Sequence, residues 1–162
     1  MKVILHDLDS LYNERLSAKC DAVVEADGKY APCQGCFGCW AKHPAECFMK
    51  DKLQQTCRIL GRADELIVIT KNLYGSYSTN IKTVLDRTIG ASTPLFTYRA
   101  WEVHHVLRYG KHSLLKVLVY GDIMKKEKAT FAYMAKRNAI NYGYKESDVL
   151  FFDSASEAES AV

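Results

Sequence analysis

Several stretches of this chain are apolar without alternation. "DELIVITK" (64–71) holds an unbroken run from Leu66 to Ile69, and "KVILH" (2–6) and "SLLKVLVYG" (113–121) read the same way. A strand with one wet face alternates apolar and polar residues. A strand that does not is covered on both faces, as in a parallel sheet flanked by helices. Helical patterns fall between these runs. "DLDSLYNERL" (7–16) has Asp9 or Ser10 as a cap. "DKLQQTCRILGRA" (51–63) spaces Leu53, Cys57 and Leu60 on one face. "STNIKTVLDRTIG" (78–90) does so with Ile81, Val84, Leu85 and Ile89 and stops at Gly90, and "KKEKATFAYMAKRNAINYG" (125–143) stops at Gly143. With "DAVVEAD" (21–27) and "SDVLFFD" (147–153) as further strands, the expectation is a five-stranded doubly wound parallel sheet. It forms an α/β three-layer sandwich of one domain spanning 1–162. Residues 91–112 show no period and read as a long loop, and the tail "SASEAESAV" reads as frayed.

Ligands in such sheets bind beyond the carboxyl ends of the strands. Two of those ends carry unusual sequence. After the third strand comes "KNLYGSYS" (71–78), with Gly75 able to let the backbone approach a flat ligand and Tyr74 and Tyr77 as aromatic walls. A plain β–α connection with a glycine turn is the competing reading of those residues. After the second strand comes "CQGCFGCWAKHPAEC" (33–47), four of the chain's six cysteines in fifteen positions. A C-x2-C-x2-C run with a fourth cysteine can converge on an iron–sulfur cluster. Zinc, which prefers separated pairs, a disulfide, and free thiols or a redox pair remain alternatives. Cys20 and Cys57 read as core. Adjacent His104 and His105 point apart and cannot share one metal, and Asp86 and Arg87 read as a helix-end salt bridge or a subunit contact.

The pieces "PCQGCFGCW", "ADELIVIT", "YGSYS" and "NIKTVLDR" come in the order and roughly the spacing of the NAD(P)H-dependent FMN reductase-like and iron–sulfur flavoprotein branch of the flavodoxin superfamily, which this chain resembles over most of its length. The resemblance implies a flavodoxin-like fold and an FMN-dependent oxidoreductase. Its flavin contacts would be Asn72, Leu73, Tyr74, Gly75 and Ser76, with Gly121 and Asp122 approaching the other side of the ring. NAD(P)H or a protein would donate electrons. Cys33, Cys36, Cys39 and Cys47 would ligate a [4Fe–4S] relay, and the chain would form a homo-oligomer. Asn72 departs from the pattern, since many relatives place proline near there.

The first loop also departs. Relatives follow the first strand with a glycine- and serine-rich phosphate cradle, whereas "HDLDSLYNERL" has no glycine and carries Asp7 and Asp9. Only Ser10 and Asn13 are left as donors to an anion. The alternative is therefore a flavodoxin-fold protein that has lost tight FMN binding and acts as a binding or thiol redox-sensing module. Net charge is only +3, without a basic stripe, so no nucleic-acid partner is expected. No export signal or membrane span is read, which makes reducing cytoplasm the expected compartment.

Overall fold

A computed structural model describes residues 1–162. Five parallel strands form the central sheet: β1 (Lys2–His6), β2 (Ala22–Glu25), β3 (Glu65–Lys71), β6 (His112–Tyr120) and β7 (Tyr144–Phe152). Their order is β2-β1-β3-β6-β7. With the inserted strands β4 (Ser92–Arg99) and β5 (Glu102–Leu107) set aside, this is the 2-1-3-4-5 arrangement of flavodoxin-like folds, whose switch point lies between β1 and β3. The helices are α1 (Asn13–Ser17), α2 (Gly38–Ala41), α3 (Thr56–Gly61), α4 (Thr79–Asp86), α5 (Lys125–Tyr142) and α6 (Ala155–Ser160). No helix is long and apolar enough to cross a membrane.

The period of two along each strand divides the core into two layers. Val3, Leu5, Leu66, Val68, Val117 and Val119 face a cluster completed by Ile81 and Val84 of α4 and Phe131 and Ala135 of α5. Their neighbours Ile4, Ile67, Ile69 and Leu118 face the other way, onto Leu16 of α1 and Ala158 of α6. The continuous apolar runs therefore have the physical cause expected of them, a helix layer on each side.

Two segments differ from expectation. Residues 91–112 are not a loop. β4 and β5 pair antiparallel as a hairpin, with Phe96 opposite His105 and Tyr98 opposite Val103. The hairpin carries no alternation because Leu95, Phe96, Tyr98, Trp101 and Val103 are all exposed. The tail is not frayed. Ser154 caps α6 by accepting from the Glu157 amide, and the helix buries Ala158 and Glu159. Arg15 and Lys19, each 3.6 Å from a Glu159 carboxylate oxygen, hold that buried charge.

His6 ends β1 fully buried, and neither ring nitrogen completes a hydrogen bond. Burial holds its pKa below the ordinary histidine value, with nearby Asn13 opposing, and burial does the same to His112. The unfolded chain therefore takes up these protons first as pH falls. Stability is full above about pH 6.5 and declines below it, by up to ~1.4 kcal/mol per pH unit for each group. Thermal melts between pH 7.5 and 5.5 should show the decline, and His6→Leu should flatten it. An unchanged slope in that variant would remove His6 as its source.

Candidate functional site

The carboxyl end of β1 is sealed by a carboxylate. Asp7 accepts from the Lys71 amide at the end of β3, 3.0 and 3.2 Å from its two oxygens, and from the Tyr120 hydroxyl at the end of β6, 3.1 Å away. The Thr70 hydroxyl lies 3.4 Å from Asp7 and accepts from the Ser78 amide. Burial and the adjacent Asp7 push the Tyr120 phenol well above its usual range, which keeps it a donor. An internal anion thus occupies donors at the switch point, where folds of this type place ligands.

The expected phosphate donors are placed elsewhere. Ser10 is exposed in a short 3-10 turn (Ser10–Tyr12), which Asp9 caps by accepting from the Leu11 amide at 2.9 Å. Asn13 Oδ1 is buried without a partner, beside His6. The segment after β1 is therefore a capped helical stub, and its residues do not fit a phosphate.

The loop after β3 is a two-residue hairpin. The Leu73 and Ser76 amides each donate to the other's carbonyl at 3.0 Å, with Tyr74 at φ 53 and Gly75 at φ 76. Gly75 serves a close approach, but to protein: a Cβ there would lie 3.1 Å from the Glu127 carbonyl oxygen. Its amide donates to Asn72 Oδ1 at 3.0 Å, and Ser76 Oγ lies 3.3 Å from Met134 Sδ of α5. Asn72 is the pin. Its side-chain amide donates to the Asp122 carbonyl at 2.9 Å and to Glu127 at 3.2 Å. Its backbone amide donates to the Tyr120 carbonyl at 2.9 Å, a bond proline cannot make, which accounts for the departure at this position.

Between this loop and the one after β6 lies an open cleft of about 310 Å³. It is lined by Asn72, Leu73, Tyr74 and Asp122, together with Ile123, Met124 and Glu127. Tyr74, Met124 and Leu73 are well exposed there. The Asp122 and Ile123 amides donate to no backbone carbonyl. Of the residues expected around a flavin, Asn72, Leu73, Tyr74 and Asp122 share the cleft. Gly121, at φ 93, is the turn that brings Asp122 to it. Gly75 and Ser76 face α5, and Ser10 is separate. Ile123, Met124 and Glu127 were missed in the sequence, although they lie within six residues of Gly121, which follows β6.

The four clustered cysteines line a second, smaller cavity of about 100 Å³, together with Phe37, Phe48, Met49, Ile89 and Arg87. They do not form a metal cage: nowhere do three cysteine, histidine or acidic side chains converge as metal ligands. The arrangement present does not fit the [4Fe–4S] cluster expected at Cys33, Cys36, Cys39 and Cys47. The thiols are instead drawn to different partners. Cys39 turns to Cys57 of α3, both sulfurs lying within 3.2 Å of the point where a Gly90 Cβ would stand. The adjoining Cys57 thiol brings the Cys39 pKa down to about 7, against burial, while Cys57 itself moves up. Cys33 and Cys36 are exposed. Cys47 is half-buried and lies against the guanidinium of Arg87.

Arg87 caps the end of α4 but does not pair with Asp86. Its side chain is 0% exposed, and its partner is Asp51, thirty-six residues away, while Asp86 pairs with Lys82. Nη1 donates to Asp51 and to the Ala31 carbonyl at 3.1 Å. Asp51 also accepts from the amides of Ala31 and Leu53. Burial opposes its charge, but these donors, Arg87 first, hold it below the usual carboxylate range. Nε and Nη2 of Arg87 are buried with no hydrogen-bond partner. Each such donor costs on the order of 1–3 kcal/mol. Nothing in the helix pattern of 78–90 signals this residue, because the partner comes from another segment.

No family model and no curated protein matches the chain in sequence. Solved structures do resemble it. An FMN-dependent NADH-azoreductase from Bacillus anthracis str. Ames Ancestor, in complex with FMN, matches 99% of this chain and 93% of its own at 9% identity and a TM-score of 0.58. An azoreductase from Bacillus anthracis str. Sterne matches 99% and 94% at 14% identity and a TM-score of 0.56. The flavodiiron core of Flv1 from Synechocystis sp. PCC6803 aligns at a TM-score of only 0.47 and 11% identity, the chain spanning 33% of its length. At these identities the two azoreductase likenesses establish the fold: the chain has a flavodoxin-like α/β architecture.

Proposed function

We propose that the chain is a flavin-dependent oxidoreductase that holds its flavin by the ring rather than by the phosphate. The carrying observation is the cleft between the β3 and β6 ends, which brings Asn72, Leu73, Tyr74 and Asp122 together beyond the carboxyl ends of the strands, one strand over from the switch point and on the edge of the sheet along which open α/β folds bind ligands. Leu73, Tyr74, Ile123 and Met124 supply apolar surface for a flat ring, and the amides of Asp122 and Ile123 would donate to its polar edge. A protein of the same fold is an FMN-dependent NADH-azoreductase, which supports FMN as the flavin and a nicotinamide as the hydride donor. The bound flavin would supply the redox chemistry, accepting a hydride and passing the electrons on; the chain's residues bind and orient it.

Asp7 sets the affinity. A phosphate dianion brought to the donors that Asp7 occupies meets a fixed like charge, so phosphate adds no binding energy there. Fluorescence titration should find FMN and riboflavin bound with dissociation constants within about threefold of each other. Leu73→Arg should weaken both at least tenfold. FMN binding a hundredfold tighter than riboflavin would overturn the phosphate argument, and no binding of either at millimolar flavin would overturn the assignment.

The same reading includes self-association through the β4–β5 hairpin. Phe96, Tyr98 and Val103 share one of its faces by register, and Trp101 at its tip is fully exposed. Large apolar side chains gathered and exposed on one face support an interaction site there. Sedimentation at micromolar concentration should show a species larger than 18.3 kDa that Trp101→Lys with Tyr98→Lys dissociates. A wild-type monomer would contradict it.

A further inference from the structure

The cysteine cavity shares no lining residue with the cleft, so it stands apart from the flavin reading. Two independent features meet in it. The first is a set of four thiols, one of which, Cys47, is half-buried and lies against Arg87. The second is the guanidinium itself, fully buried, with Nε and Nη2 lacking any oxygen acceptor. Those two N–H groups form one edge of the planar fork, the edge that receives a pair of oxygens or a single anionic oxygen. The reduced thiols provide no such oxygen.

Cys47 is held in place from several directions. Its amide donates to the Gln54 carbonyl at 3.0 Å. The neighbouring Glu46 pairs with Arg58 at 3.1 Å and accepts from Gln54 at 3.0 Å. Asp51 fixes Arg87 against the same turn. Reactive cysteines are partly exposed and sit beside positive charge, and Cys47 meets both conditions. The surrounding Phe37, Phe48 and Met49 and the small volume admit a small peroxide and exclude a large substrate.

We propose that Cys47 is a site of reversible oxidation by hydrogen peroxide or a small alkyl hydroperoxide, with Arg87 receiving the oxygen. The Cys47 sulfur attacks the terminal oxygen. The S–O bond forms, the O–O bond breaks, the sulfur loses two electrons, and the thiol proton ends on the departing oxygen as water or alcohol. The sulfenic oxygen is then the acceptor that Nε and Nη2 lack. Cys33 or Cys36, exposed at the same cavity, attacks the oxidised sulfur, forms a disulfide and releases water. A dithiol such as dithiothreitol reverses the bond by exchange.

The test needs no flavin. Reduced protein is treated with one equivalent of hydrogen peroxide, alkylated and mapped by peptide mass spectrometry. The expected product is a disulfide between Cys47 and Cys33 or Cys36, reversed by dithiothreitol. In the Cys33→Ser, Cys36→Ser double variant the expected product is a dimedone adduct on Cys47. Arg87→Lys, which keeps the charge but not the fork, should slow the reaction at least tenfold. Cys47 left reduced in the wild type, or a first disulfide joining Cys39 to Cys57, overturns the proposal, and that mapping stands whether or not the Arg87 variant folds.

Discussion

The Asp7 carboxylate ties three strands together where they would otherwise splay. It takes the last β3 amide, a β6 phenol and, through Thr70, the loop that starts α4. Hydrogen bonds to a charged group are worth about 1.5–3 kcal/mol each, so this one side chain fixes the strand ends more firmly than ordinary turn contacts could. The path continues outward. Ser78, placed by Thr70, accepts from the Ile81 amide and begins α4. Asn72, placed by the Tyr120 carbonyl, clamps the loop after β6. The walls of the cleft are held by groups that trace back to one carboxylate, and that carboxylate is also what makes the site unsuited to a phosphate.

At the other end of α4 a buried charge does comparable work. The helix has eight residues, about 12 Å of rise. Arg87 follows it and joins Asp51, Ala31 and Cys47, while Trp40 of α2 donates to the Ile89 carbonyl at 2.9 Å and packs on His105 of the hairpin. The cysteine segment, irregular on either side of α2 and the turn that follows it, is shaped by these attachments. Gly90 lets it lie close, since any side chain there would collide with Cys39 and Cys57.

The sheet was legible because burial on both faces leaves a mark that no other environment leaves: Leu66–Ile69 cannot be a wet strand. The hairpin was illegible for the opposite reason. Leu95, Tyr98 and Val103 are exposed within the chain, so no inside–outside rhythm was written into residues 92–107. α6 was missed because Ala155, Ser156 and Ser160 resemble a polar tail, and its anchoring by Arg15 and Lys19 spans some 140 residues. At the cleft, Tyr74 could be found from its strand end, whereas Asn72, Leu73 and Asp122 came only from the family resemblance. The role of Gly75 could not be found, since the surface it approaches belongs to α5. Arg87 was hidden for the same reason: a pair with Asp51 is a property of the fold, not of the helix that carries the arginine.

The central claim is that a flavin ring is held between the loops after β3 and β6 while the segment after β1 takes no part. Backbone and methyl NMR spectra recorded with and without FMN read this directly. The account predicts shifts at Leu73, Tyr74, Asp122, Ile123 and Met124, with Asp9, Ser10 and Leu11 unmoved. Shifts concentrated on residues 7–13, with the loops after β3 and β6 unchanged, would contradict it.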